Sequence, residues 1–196
     1  MKKRTANLLL MLLAGIFSGC ASFQGNQLKR ISDYPSVQHK KTIHATMVFK
    51  GKLNGKPWTQ NDARNQAYLE QRCLNLLESC GMFSFVSGDL KTTDLQIHVG
   101  LVNEKETSTT RQTLSALTLF LVPYTSSDTF HMLAILKEPA TGKEKKIWLT
   151  QSINHRQQLF LFPFAPFKSS DSEIEKCIDR LLGNLCMEIH RTGMLK

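Results

Sequence analysis

Alternation of apolar and polar residues predicts several strands along the middle of the chain. The clearest stretch is 95–101, where every second residue is apolar, and a similar stretch covers 43–49. Residues 128–153 alternate on both sides of a Pro-Ala-Thr-Gly turn, which predicts a hairpin. The polar stretches 51–57 and 103–113 lack this pattern and are predicted loops. Each strand is therefore expected to bury one face and expose the other.

Apolar residues spaced three and four apart predict two amphipathic helices. The first begins at Asp62 and stops near Gly81. The second begins at Ser170, which has capping-box spacing to Glu173 and precedes a strong apolar periodicity over 174–189. Strands between two helices favour an α+β fold, with an antiparallel or mixed sheet of about 4–6 strands and both helices packed on one face.

Two apolar segments fit neither pattern. They cover 114–124 and 159–167, and two prolines make the second a poor central strand. In one interpretation each is an exposed loop that docks on a partner or dips into lipid. In the other, which we favour, 114–122 is a buried strand and 159–167 is a lid over the sheet. The candidate docking residues in the second segment are Phe160, Phe162, Phe164 and Phe167.

The N-terminus has the layout of a secretory signal peptide. Basic residues at 2–4 precede an apolar stretch at 8–17. That stretch is shorter than the roughly 20 residues that span a bilayer. The closing Phe-Ser-Gly-Cys at 17–20 resembles the lipobox of bacterial lipoproteins. The resemblance implies that residues 1–19 are removed and that Cys20 becomes the first mature residue, carrying palmitate or similar acyl chains.

The residue after the lipobox cysteine and the composition beyond it set the expected organisation. Ala21 is similar to the pattern that sends lipoproteins to the outer membrane. The resemblance therefore implies an outer-membrane lipoprotein, held on the periplasmic face. Residues 20–42 are polar and irregular, and we predict a lipidated basic tether there. Residues 43–196 are predicted to form a single α+β domain.

The net charge of +9 is concentrated near the predicted anchor. Between residues 26 and 56 the sequence has one acidic residue, Asp33, and seven basic residues, which are Lys29, Arg30, Lys40, Lys41, Lys50, Lys52 and Lys56. A basic residue held close to anionic lipid contributes on the order of 1 kcal/mol. Lys29, Arg30, Lys40 and Lys41 are thus candidate contacts with the membrane surface, although a solvated linker explains them equally well. Nucleic acid is not an expected partner of an exported protein.

Four cysteines follow Cys20, namely Cys73, Cys80, Cys177 and Cys186. Cys73 and Cys80 lie on the first predicted helix, and Cys177 and Cys186 lie on the second. Two cysteines on the same helix are roughly 10 Å or more apart along its axis, which is too far for a disulfide. Any bridge must therefore join the two helices. The preferred alternative is four small apolar core residues. The spacings do not match a zinc site, and no metal or cofactor is predicted.

No motif of a known catalytic site is present, so we expect no enzyme. His98 and His131 lie on predicted strands and would approach each other if those strands paired, but a structural role is the expectation. Ser126, Ser127 and Asp128 offer hydroxyls and a carboxylate. No histidine is tied to them in the sequence, so they do not predict catalysis.

A second resemblance concerns the whole domain. The helix running into 77–83, the strand at 93–99 and the segment 117–124 are similar to small α+β lipoproteins of the bacterial envelope. These include the curli-export lipoprotein and the lipoproteins that activate cell-wall synthases. The resemblance implies a non-enzymatic accessory or assembly factor with an envelope protein as partner. The alternative is a module that binds lipid or a small ligand.

Overall fold

The computed structural model describes residues 19–58, 62–88, 93–158 and 169–195, which form a seven-stranded mixed sheet and three helices. The predicted α+β class is therefore confirmed, including two amphipathic helices on one face of the sheet. The predicted hairpin over 128–153 is also present and is longer at both ends.

The elements follow one another in a simple order along the chain. The strands are β1 (Gly19–Gln24), β2 (Lys41–Leu53), β3 (Lys56–Trp58), β4 (Phe83–Ser87), β5 (Leu95–Glu106), β6 (Tyr124–Glu138) and β7 (Lys143–Gln158). The helices are α1 (Asp62–Ser79), α2 (Thr109–Leu117) and α3 (Ser170–Arg191). The strands β1 and β3 and the short helix α2 are not predicted by the sequence pattern.

The strand pairing gives the sheet two distinct ends. Its order is β1-β7-β6-β5-β2-β3, with β4 beside the first residues of β2. The pairs β2–β5 and β2–β4 are parallel, and the others are antiparallel. The register places Cys20, Gln157 and Tyr124 in one row. We call this the Cys20 end. The opposite, far end holds Lys41 and the β6–β7 turn.

A tight turn replaces the loop expected at 51–57. Asn54 and Gly55 have φ angles of 50° and 79°, and they join β2 to β3 with Leu53 opposite Lys56. Asn-Gly is the preferred pair for two-residue hairpin turns because both positions need positive φ. The Asn-Gly pair is therefore a direct sequence signal for this hairpin, and the prediction of a loop at 51–57 does not use it.

The core lies between one face of the sheet and the helices α1 and α3. Alternate residues of β2, β5, β6 and β7 point into it, as the apolar alternation predicts. Its largest fully buried side chains include Ile43, Leu77, Ile97, Leu101, Met132, Leu136, Leu181 and Leu185. No described helix packs on the opposite face, where the Trp148 side chain is 71% exposed.

Part of the predicted tether over 20–42 belongs to the folded domain. Residues 20–24 belong to β1, and Ala21 and Ser22 are fully buried. The chain then runs along α3, where the Asn184 side chain donates to the carbonyl of Lys29 at 2.7 Å. Leu28, Tyr34 and Val37 also pack against the core. This edge pairing depends on β7, more than 130 residues away, so no local pattern reveals it.

The start of α3 differs by one residue from the predicted capping box. Ser169, not Ser170, is the N-cap, and its side chain accepts from the backbone N–H of Ser172 at 3.4 Å. The Glu173 carboxylate is buried and accepts hydrogen bonds from the side chains of Gln24 and Lys176.

The four cysteines predicted to be core residues are free and buried. Burial raises the pKa of the Cys73 and Cys177 thiols to about 12. The other two thiols contact each other between α1 and α3. Hydrogen bonding between their side chains raises the pKa of Cys186 and lowers that of Cys80. Cys80, the thiol that ionises more readily, therefore lies beside Cys186 of α3.

We expect oxidised glutathione to convert Cys80 and Cys186 into a disulfide. Because the bridge closes a loop of about 100 residues, it should raise the free energy of unfolding by about 2–4 kcal/mol. Peptide mapping and urea unfolding of the oxidised and reduced protein measure both effects. Cys186→Ala should abolish the bridge, whereas Cys73→Ala should leave it. A bridge that survives Cys186→Ala would contradict the assignment.

Candidate functional site at the Cys20 end of the sheet

Cys20 lies at the start of an edge strand, directly at the boundary of the folded domain. It is exposed and stands opposite Gln157 in the β1–β7 pair. Partial removal of the thiol from water raises its pKa, and the positive charge of Lys105 opposes this rise. The first residue expected in the mature protein is therefore accessible at the surface. It is also held by the sheet, with no flexible segment between them.

A buried hydrogen-bonded network fixes β1 to the sheet two residues beyond Cys20. The Ser22 hydroxyl lies 2.7 Å from Nδ1 of His155. Nε2 of the same ring lies 2.6 Å from Oδ2 of Asp128 on β6. All three side chains are buried. Residues from three adjacent strands thus form one continuous chain of hydrogen bonds.

The carboxylate at the end of this network has further partners. Asn103 donates to Oδ1 of Asp128 at 3.2 Å, and the Lys105 ammonium lies 4.0 Å from Oδ2. Burial alone would raise the pKa of Asp128. The hydrogen bond from His155 and the charge of Lys105 outweigh that effect, so the pKa of this carboxyl lies below its usual value. Asp128 is therefore an ionised, buried acceptor that orients the imidazole ring.

A second polar chain ties β1 to the start of α3. Gln151 on β7 donates to Oε1 of Gln24 at 2.6 Å. Gln24 donates in turn to Oε2 of Glu173 at 2.9 Å, and Lys176 donates to Oε1 at 2.8 Å. Buried polar groups are costly unless paired. The two chains together make β1 an integral strand of the domain.

The Ser22–His155–Asp128 network contains the residue types of a serine hydrolase triad. The sequence offers Asp128 as a carboxylate but gives no local signal for its histidine partner, which is 27 residues away. The hydroxyl of Ser22 belongs to a fully buried side chain within a paired strand. A catalytic serine must reach a bound carbonyl carbon. This geometry instead suits the clamping of β1 against β7 and β6.

The segment 114–122 is exposed, so the favoured prediction of a buried strand is wrong. It comprises the second half of α2 and the turn that follows. Leu117 is 77% exposed and Leu121 is 58% exposed. The other exposed apolar residues are Leu114, Leu119 and Val122. A short apolar run does not reveal by itself whether it is a strand or a helix, or what covers it.

Internal hydrogen bonds hold this segment in shape. The buried Ser115 hydroxyl donates to the carbonyl of Val122 at 2.7 Å, and the N–H of Phe120 donates to the carbonyl of Ser115 at 2.7 Å. Leu119 and Phe120 have φ angles of 52° and 62°. Two successive non-glycine residues in this region are uncommon and cost conformational energy. The strained turn points its apolar side chains outward.

The basic residues predicted to contact a membrane do not cluster around Cys20. Lys41 begins β2 at the far end and pairs with Glu138 at 2.5 Å. The length of β2 places it about 40 Å from the Cys20 end. That separation is several times the Debye length of about 8 Å, so a charge at Lys41 does not act on lipid headgroups next to Cys20. Lys40 precedes it in sequence, and Lys29 and Arg30 lie along α3.

The remaining candidates are also placed apart. The four phenylalanines at 160, 162, 164 and 167 lie outside the described residues, so their predicted docking role stays a prediction. His98 and His131 do not approach each other in the β5–β6 register. His98 contacts Thr46 at 2.8 Å, and His131 lies 3.3 Å from Thr150. The described ranges contain no cluster of ligands for a metal ion and no helix suited to crossing a membrane.

Comparison with known proteins identifies similar folds. No family model matches the chain, and no curated protein matches it either. One similar structure is a protein from Xanthomonas campestris of the family DUF330. Its identity is 12%, its TM-score is 0.46, and the match covers 87% of this chain and 94% of that one.

Another similar structure is described as a neuraminyllactose-binding hemagglutinin homolog from Helicobacter pylori. Its identity is 11%, its TM-score is 0.47, and the match covers 87% of this chain and 97% of the other. At these values the likeness carries no argument about function.

Proposed function

We propose that this protein is an outer-membrane lipoprotein on the periplasmic face, anchored through Cys20, that acts as a non-enzymatic accessory or assembly factor of the cell envelope. The observation that carries the proposal is the position of Cys20. The residue that ends the lipobox is exposed at the start of an edge strand, and the rest of that strand is clamped by buried hydrogen bonds. This arrangement suits a rigid anchoring point.

The non-enzymatic part of the proposal rests on the burial of the hydrolase-like network. Ser22 is fully buried, and His155 and Asp128 are nearly so. Each group is satisfied by another member of the network, which leaves no reactive atom facing a cleft. Groups arranged in this way stabilise a fold. The protein therefore acts through the surfaces that it presents to other molecules.

The alternative of a ligand-binding module has weaker support. A cleft of about 490 Å³ lies between the β2–β3 turn, α2 and the start of β6. The residues that line it, apart from Gly55, have polar side chains, including Asn54, Thr107, Ser108, Arg111 and Ser126. Sites for apolar ligands are lined mainly by apolar side chains. An internal lipid site is therefore not the function that this cleft favours.

The anchor is tested by metabolic labelling with an alkyne analogue of palmitate in a Gram-negative host. We expect the wild-type chain to incorporate the label and to fractionate with outer-membrane vesicles. Cys20→Ser should lose the label completely, because it removes the sulfur that accepts the lipid. Cys73→Ala is the matched control, since it removes a buried cysteine and should keep the label. Full labelling of Cys20→Ser would overturn the proposed anchor.

A further inference from the structure

The exposed 114–122 segment and Cys20 belong to the same end of the sheet. The segment is followed by Pro123 and then by Tyr124, the first residue of β6. Tyr124 lies opposite Gln157, which lies opposite Cys20. Tyr124 and Cys20 are on either side of β7, two strand spacings or about 10 Å apart. The apolar segment therefore ends close to the residue that would carry the lipid.

The chemistry of this segment is that of an interfacial element. No charged residue occurs between Arg111 and Asp128. Five large apolar side chains in the segment are exposed, and Leu117 is the most exposed of the large apolar residues described. Isolated apolar residues on a surface are ordinary, but a contiguous group indicates a surface that is covered in use.

The polar groups of the segment are largely satisfied from within. The hydroxyl of Thr118 donates to the carbonyls of Leu114 and Ser115, each at 3.0 Å. The N–H of Leu121 donates to the carbonyl of Thr118 at 3.0 Å, and Ser115 closes the turn through Val122. Backbone groups that enter lipid need such internal partners, because hydrocarbon provides none. A protein partner could supply hydrogen bonds itself and would not require this.

Cys20 is itself part of the sheet, with no linker between them. This limits which molecules can cover the 114–122 segment. Because Cys20 is paired within β1, acyl chains attached to it hold this end of the domain at the bilayer surface. Any molecule covering the segment must then occupy the space where the headgroups lie. We infer that residues 114–122 insert into the interfacial layer of the membrane that holds Cys20, as a second contact with the lipid. This inference rests on the proposed anchor.

The insertion is tested with a fluorescent probe on the lipidated full-length protein. Leu117→Cys introduces an exposed thiol into a background that carries Cys80→Ala and Cys186→Ala. The thiols of Cys73 and Cys177 are buried, with pKa values raised to about 12, so a nitrobenzoxadiazole maleimide labels position 117. The matched control is Lys145→Cys in the same background, exposed on β7 near the far end. Both proteins are reconstituted into vesicles of phosphatidylethanolamine and phosphatidylglycerol that carry brominated acyl chains.

We expect the probe at 117 to be quenched several-fold more than the probe at 145, with a blue-shifted emission. Leu121→Asp should reduce quenching at 117 several-fold, whereas Lys143→Asp at the far end should leave it unchanged. Flotation of the same samples on a density gradient reports the anchor independently.

Three outcomes separate the inference from the proposed anchor. If the protein floats with the vesicles and the probe at position 117 is quenched more than the probe at position 145, both the anchor and the insertion are supported. Protein that floats while position 117 is quenched no more than position 145 overturns the inference and leaves the anchor standing. Protein that does not float overturns the anchor, and the inference with it.

Discussion

Replacement of Asp128 by alanine is expected to lower the free energy of unfolding by about 1–3 kcal/mol, which is the usual cost of leaving a buried hydrogen-bonding group without its partner. The substitution would remove the acceptor of the buried His155 ring and of the half-buried Asn103 amide. Urea unfolding followed by circular dichroism measures the change.

The control for this prediction is Asp179→Ala. The carboxylate of Asp179 also accepts from a basic side chain, Arg72 at 2.8 Å, but it is 53% exposed. An exposed pair contributes about 1 kcal/mol or less. If the loss at Asp128 were no larger than the loss at Asp179, the network would not be the clamp that holds β1.

The depressed pKa of Asp128 also fixes how this contribution varies with pH. The unfolded chain titrates Asp near pH 3.9, and the folded-state pKa lies lower. The stabilisation is therefore complete above about pH 4, and it disappears as the pH falls through the folded-state pKa. Between pH 7 and pH 3, the Asp128→Asn variant should lose less stability than the wild type.

Leu181→Ala should cost about 2–5 kcal/mol, whereas Leu117→Ala should change the stability by no more than about 0.5 kcal/mol. Leu181 is fully buried in α3, so its truncation leaves a cavity between the helix and the sheet. Leu117 is 77% exposed and leaves none. Urea unfolding of the two variants in detergent-free buffer makes a matched comparison of the same chemical change.

This comparison also tests how the 114–122 segment sits on the domain. A loss above about 1 kcal/mol for Leu117→Ala would mean that its side chain packs against protein, since exposed truncations rarely cost that much. Such a result would support the buried interpretation that the sequence favoured. An unchanged free energy of unfolding would mean that the Leu117 side chain does not pack against the protein and is available to contact the membrane.

The parts of the fold that the sequence predicted are those specified by local periodicity. The alternation at 95–101 identifies β5, and the spacing of apolar residues over 174–189 identifies α3. Gly81 and Gly142 both have φ of +69° and mark the end of α1 and the β6–β7 turn. In each case the determining interactions lie within a few residues, so a single segment carries the signal.

The parts that the sequence did not predict depend on distant partners. Ser22 and His155 are separated by 133 positions, and Asp128 and His155 by 27. Separations of this size match no known sequence motif. Serine, histidine and aspartate are also common on protein surfaces, so none of the three residues stands out by its type. The strand β1 is polar and short, and its place in the sheet is set by β7. The basic residues were assigned to the anchor by closeness in sequence, although the chain carries Lys41 to the far end.

On the proposed anchoring through Cys20, the pairing of β1 with β7 has a consequence for the order of events during export. A chain that crosses the inner membrane from its N-terminus delivers Cys20 long before Gln157, its partner in the sheet. Until β7 has emerged, β1 has no strand to pair with, and the long-range contact cannot form. The enzymes that cleave and acylate a lipoprotein would therefore meet Cys20 on an extended, unpaired chain. Once β7 has emerged, β1 pairs with it, and the modified N-terminus takes up its position at the edge of the sheet.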